Sequence, residues 1–90
     1  MIYQIDIAKQ TRREIEQLPG HMRQRIKREI AQLAFDPRPA HAIELRGPLQ
    51  GRYKIKLDQY RIVYWIQDDI AIVQVLKAGK KTPGFYDDLA

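Results

Sequence analysis

From Ile2 to Ile7 apolar and polar residues alternate with period two, which puts Tyr3, Ile5 and Ile7 on one face and predicts a first strand. The period then lengthens. Ile15 and Leu18 make the apolar face of a helix that starts either near Ala8 or at the capping-box pattern Thr11-Arg12-Arg13-Glu14. Pro19-Gly20 interrupts it, and Met22, Ile26, Ile30 and Leu33 then recur at the spacing of a second amphipathic helix. Asp36-Pro37-Arg38-Pro39 ends that helix, because proline excludes the helical conformation from the residue before it and has no N–H to donate. Such a short break between two helices predicts an αα-hairpin.

Residues 40–50 read as a loop with a short extended piece at Ile43 to Leu45. Three strand-like segments follow, Gly51 to Leu57, Tyr60 to Gln67 and Ile70 to Ala78, with Asp58-Gln59 and Asp68-Asp69 as tight turns. The order of strand, helical hairpin and antiparallel three-stranded meander predicts a two-layer α+β domain. Thr82-Pro83 has the pattern of an N-cap and first residue of a short C-terminal helix, with Asp87 and Asp88 in its last turn.

If Asp58 and Gln59 are the turn residues, Leu57 faces Tyr60 and Lys56 faces Arg61. Alternation then gathers Arg52, Lys54, Lys56 and Arg61 on one face. Extending the register adds Val63, Trp65, Ile72, Gln74 and Leu76 to that face and turns Ile62, Tyr64, Ile66, Ala71, Val73 and Val75 toward the helices. The acidic residues between Leu45 and Tyr86 are confined to the two turns, so the strands carry cations without anions. Like charges directly opposite one another destabilise an antiparallel pair, so such a face either meets an anion or serves only as a solvated, aggregation-resistant surface. Trp65, Ile72 and Leu76 make the face partly apolar, and either the C-terminal segment or a binding partner is expected to cover part of it.

Composition narrows the partner. Ninety residues, 44% hydrophobic and 30% charged, make one globular domain spanning residues 1–90. A net charge of +5 favours a polyanion: nucleic acid, an acidic membrane surface or an acidic protein. The chain has no apolar stretch of the ~18 residues a membrane helix needs and begins without a signal-peptide pattern, so a cytoplasmic location without membrane attachment is expected. The absence of cysteine removes disulfides, thiolate metal sites and a cysteine nucleophile, and two isolated histidines, His21 and His41, do not suggest a metal site. No metal or cofactor is expected.

Tyr53-Lys54-Ile55-Lys56-Leu57, Tyr60-Arg61-Ile62-Val63-Tyr64 and Val75-Leu76-Lys77-Ala78-Gly79-Lys80-Lys81, in this order of elements, resemble the RelE branch of the RelE/ParE toxins over almost the whole chain. The Tyr-Arg-Ile-Val-Tyr strand is shared by members that cut no RNA; the Lys54/Lys56 pair is the more discriminating piece. The resemblance implies a toxin of a type II toxin-antitoxin system that cleaves mRNA in the ribosomal A site. A co-expressed antitoxin would silence it in a toxin-antitoxin hetero-oligomer. It also implies catalytic roles for Lys54, Lys56, Arg61, Lys81 and Tyr86. At Lys81 the family has an arginine, and the segment from Lys81 to Tyr86 is a residue shorter than in some members.

Within this reading, Lys56 is the expected base, crowded by Arg61 and Lys54, which would hold the phosphate. Lys81 would be the acid and Tyr86 a stacking residue. Lys80, Arg52 and the second-helix cations Arg23, Arg25, Lys27 and Arg28 are candidate RNA contacts, although a basic helix face is commonly just solvated. Two other readings share the pattern: a ParE-like inhibitor of DNA gyrase without nuclease activity, and a degenerate member that only binds antitoxin.

Overall fold

A computed structural model describes residues 2–89. Strand β1 (Gln4–Ile7) leads into helices α1 (Lys9–Glu16) and α2 (Gly20–Gln32), then a short β2 (Ile43–Glu44) and the meander β3 (Arg52–Leu57), β4 (Tyr60–Gln67) and β5 (Ile72–Lys80). The sheet runs β1-β5-β4-β3-β2, with β1 parallel to β5 and the other neighbours antiparallel. The fold is α+β, as expected. The first strand and the Ile43 segment become the two edges of a five-stranded sheet, a placement that local pattern does not specify.

Both helices cover one face of the sheet. Ile15 of α1 and Met22, Ile26, Ile30 and Leu33 of α2 or its end pack on Ile55, Leu57, Ile62, Tyr64, Ile66, Val73, Val75 and Ala78. Burying one such aliphatic side chain contributes about 1.5–3 kcal/mol, so this layer is the main source of cohesion. The helix α1 starts after Ala8, and Thr11 is not its cap. Thr11 is buried, and its Oγ1 donates to the Leu76 carbonyl at 3.0 Å.

That carbonyl belongs to a β-bulge. Val63 pairs with Lys77 and Tyr64 with Val75, leaving Leu76 as the extra residue between them. The expected register breaks here: beyond the bulge Lys77 and Gly79 continue the cationic face, while Ala78 returns to the core. The last strand also starts later than expected. Asp68–Ile70 form a 3-10 turn, and Ala71 has a left-handed backbone, φ 53°, so Ala71 does not join Val73 and Val75 in the strand. The expected terminal helix is replaced by successive i to i+3 turns that end in a 3-10 turn at Asp87–Leu89. Gly84, at φ +78°, stops an α-helix from running on from Thr82-Pro83.

The proline-rich segment after α2 is fastened to the sheet by polar contacts. The Arg38 guanidinium forks onto Asp68 at 3.1 and 2.7 Å and donates through Nε to the Tyr53 hydroxyl at 3.3 Å. Tyr3 donates to Asp68 at 2.7 Å, and buried Tyr64 donates to the Pro37 carbonyl at 2.7 Å. No helix among the described residues is long and apolar enough to cross a membrane.

Hydrogen bonds from Arg38 and then from Tyr3 hold the Asp68 carboxyl down at about 2. A carboxyl depressed on folding stabilises the native state above its ordinary range and loses that contribution as pH falls toward the folded value. Asp68→Asn is therefore expected to lower the melting temperature at pH 7 and to flatten the acid limb of the stability curve between about pH 4 and 2. Thermal denaturation across that range checks it; an unchanged limb would remove Asp68 as its source.

Candidate nucleic-acid interface

Asp58 takes a positive φ of 56°, which lets Asp58-Gln59 close the β3–β4 hairpin with Leu57 opposite Tyr60. The pairing then sets the exposed face in rows. Lys56, Arg61 and Gly79 lie side by side across β3, β4 and β5; Lys54, Val63 and Lys77 form the next row, and Arg52, Trp65 and Gln74 the third. Side chains directly opposite in such pairs have Cβ atoms about 4.5–5.5 Å apart, so the four cations of β3 and β4 share one surface.

Arg61 is held in place by its own hairpin. Its Nη1 donates to the carbonyls of Asp58 and Tyr60, both at 2.9 Å, and its Nε is buried without a partner among the described residues. Beside it, a Cβ added to Gly79 would meet nothing within 4 Å, so the floor next to Arg61 is open. The Lys81 N–H donates to the Gln59 carbonyl at 2.7 Å, which ties the end of β5 to the same turn.

Lys54 lies behind this group, its Nζ 6.0 Å from the centre of the Tyr86 ring. Burial, and then the charges of Lys56, Arg61 and Lys81, push its ammonium below the ordinary lysine range. Lys54 is more buried than Lys56, on which the sequence reading places the crowding.

The C-terminal segment covers the middle row. Lys77, delivered to this face by the bulge, donates through Nζ to the Phe85 carbonyl at 2.6 Å and to Asp88 at 2.9 Å, and sits 4.6 Å from the centre of the Phe85 ring. Phe85 and Val63 are both buried, and Tyr86 meets Phe85 edge to face at 5.0 Å. The tail therefore lies over the Lys54 and Lys77 row, while Trp65, one of the apolar residues for which a cover is expected, is 37% exposed. Lys77 could have been found in the sequence only by anticipating the bulge.

Lys54, Lys56, Arg61, Lys81 and Tyr86 thus come together, with Arg52 two rows away. Lys80 does not join them: it pairs with Tyr60, one step past Gly79, and alternation sends it to the helix side. The four cations of α2 lie on the opposite layer of the molecule. Arg25 pairs with Asp58 at 2.7 Å and Lys27 with Glu16 at 2.6 Å, and Arg23 donates to the carbonyls of Glu16 and Leu18 at 3.3 and 3.4 Å. Those three are occupied in joining the helices to each other and to the hairpin; Arg28 is exposed. His41 pairs with Glu29 and His21 is exposed, both away from the cationic face. Asp6, on β1 beside Gln74, is an acid on the open face that the sequence pattern did not reveal, because β1 reaches β5 only through the tertiary fold. A cavity of about 710 Å³ lies along β2 instead, lined by residues 42–47 and Gln50, and is not the cationic surface.

The family model of the ParE toxin of the type II toxin-antitoxin system parDE matches residues 5–81. The chain belongs to this toxin family. The mRNA interferase toxin RelE of Escherichia coli is 32% identical over 83 residues, covering 90% of this chain and 85% of that protein. Among solved structures, the intact E. coli RelBE toxin-antitoxin complex aligns at 31% identity with a TM-score of 0.75, covering 89% of this chain and 98% of that one. The archaeal RelE-RelB complex from Pyrococcus horikoshii aligns at 25% identity with a TM-score of 0.73, covering 89% and 96%. The chain is therefore a toxin of the type II class with RelE mRNA interferases among its relatives.

Removing one neighbouring cation should relieve Lys54. In the Lys56→Met toxin the Lys54 pKa is expected to rise toward the ordinary lysine value, read by NMR titration of labelled lysine side chains. A Lys54 titration that does not move would remove Lys56 from its electrostatic environment.

Proposed function

We propose that this toxin is a ribosome-dependent endoribonuclease that cuts mRNA in the A site and so inhibits translation. The observation that carries the proposal is the meeting of Lys54, Lys56, Arg61, Lys81 and Tyr86 on one face, with the ammonium form of Lys54 disfavoured. The RelE relatives, named mRNA interferases, support it.

RNA cleavage by internal attack needs a base for the 2′-hydroxyl, cations for the charge that builds on phosphorus, and an acid for the departing oxygen. The Lys54/Lys56 pair supplies the base: one amine takes the 2′-hydroxyl proton as the 2′-oxygen bonds to phosphorus. Lys54 is the amine whose ammonium form burial and neighbouring cations disfavour, and Lys56 is exposed and opposite Arg61. Arg61, already oriented by its turn carbonyls, binds the phosphate through Nη2. The P–O5′ bond breaks as Lys81 donates a proton to the 5′-oxygen. The products are a 2′,3′-cyclic phosphate and a 5′-hydroxyl. Tyr86 stacks on or orients a nucleotide. A lysine at position 81 gives one point charge where arginine gives a fork, so transition-state charge is held less firmly there.

The partner in this proposal is a co-expressed antitoxin that forms a hetero-oligomer with the toxin. RelB-bound complexes among the structural relatives support it. Ribosomes and mRNA would place its action in the cytoplasm. A gyrase-directed reading remains attached to the family model, which carries the ParE name.

Primer extension on an mRNA in translating cells separates the two. Codon-spaced cuts are expected with the wild-type toxin, and Lys54→Ala and Lys56→Ala should each slow cleavage on purified ribosomes by about 10²- to 10⁴-fold. Near wild-type turnover in one variant would free that lysine of the base role. DNA breaks linked to gyrase, without mRNA cuts, would replace the nuclease by the inhibitor.

A further inference from the structure

The third row of the open face has no role in the cleavage just described. It holds Trp65, the chain's single tryptophan, with 37% of its surface exposed. A tryptophan at that position on a sheet strand is unprotected apolar surface unless something lies on it. The Arg52 guanidinium sits 5.4 Å from the ring centroid. Its only hydrogen bond among the described residues is a long one, Nη1 to the Gln50 carbonyl at 3.5 Å, and its Nε is buried without a partner. Gln74, opposite Trp65 on β5, adds an amide that can both donate and accept.

We propose that Arg52, Trp65 and Gln74 form a second nucleotide subsite, which takes one base of single-stranded RNA flanking the scissile nucleotide. The inference rests on the nuclease reading and extends its substrate contacts. An aromatic ring with an arginine beside it is the chemistry that holds an unpaired base, since stacking and cation–π attraction act on any base and the guanidinium can also meet a phosphate. From the Arg61 row to the Trp65 row is four residues of strand, about 13 Å. That distance is too long for the scissile nucleotide itself and suits a neighbour.

Charge chooses the path and the occupant. Arg52, Lys54 and Lys56 alternate along β3 toward Arg61, a cationic rail for consecutive phosphates with no acid on the exposed face of β3 or β4. Asp6 repels a polyanion from the β1 side of the same face. Midway along the rail lies the Tyr86 ring beside Lys54, so the two aromatics offer successive platforms. Gln74 gives the outer subsite a means of preferring one base edge over another, which stacking alone does not.

The test uses the intact toxin and a short labelled single-stranded RNA whose 2′-hydroxyls are methylated so that it cannot be cut. Anisotropy of the label reports binding anywhere on the chain, while Trp65 emission reports the subsite. Saturable quenching of Trp65 is expected at the midpoint given by anisotropy. Trp65→Ala should weaken the anisotropy-measured affinity by about 5- to 100-fold, with Trp65→Phe recovering most of it. Arg52→Gln should weaken it too, and an abasic nucleotide at the stacked position should make the RNA insensitive to Trp65→Ala. Binding by anisotropy with unchanged Trp65 emission overturns the subsite and leaves the nuclease reading standing, because that reading is decided by mRNA cuts. Absence of RNA binding overturns the subsite, as does quenching by an antitoxin peptide alone, which would assign the ring to a protein partner.

Discussion

One extra residue in β5 sets the arrangement of both faces of this sheet. A strand that alternated without a break from Val73 and Val75 would have turned Lys77 into the helix layer, burying an ammonium among Ile15, Ile62 and Tyr64, at a cost far above what the core contributes there. Leu76 takes up the slip. Val73, Val75 and Ala78 all face the helices, and Lys77 and Gly79 face the other way. The carbonyl loosened by the bulge is satisfied from α1 by Thr11, so the irregularity is locked to the helix layer by a hydrogen bond across it. Bulges recur beside functional sites because they re-aim side chains that simple alternation would misdirect.

The consequences reach the site in two ways. Gly79 keeps the surface beside Arg61 clear, and Lys77 binds the chain that follows β5 back over the face, with Phe85 against Lys77 and Tyr86 coming to Lys54. The tail therefore supplies the aromatic ring beside Lys54. Lys77 itself is paired with Asp88, so it anchors the tail.

The remaining cations are held apart by position and by partners. Arg25 reaches the turn carboxylate of Asp58, whose backbone carbonyl orients Arg61 on the far side. The hairpin turn thus separates a paired arginine on the helix layer from an arginine with free donors on the site layer. Opposition of Lys56 and Arg61 costs stability in the free protein, and under the proposed function a phosphate between them would relieve it.

The helical hairpin, the β3–β4 register and the convergence of Lys54, Lys56 and Arg61 were legible in the sequence, because each depends on periodicity and a tight turn within a few residues. The family resemblance, which runs on through Val75–Lys81, is what grouped Lys81 and Tyr86 with Lys54, Lys56 and Arg61. Tertiary structure alone decided the rest. Asp6 joins the open face through a parallel pairing across most of the chain, and Arg23, Arg25 and Lys27 are taken up by partners on other elements. Lys80 and Lys77 exchange the faces that unbroken alternation would give them, and Gly84 turns an expected helix into a strap. These outcomes depend on backbone geometry and on contacts distant in sequence, and a bulge has no residue signature as strong as the period it interrupts.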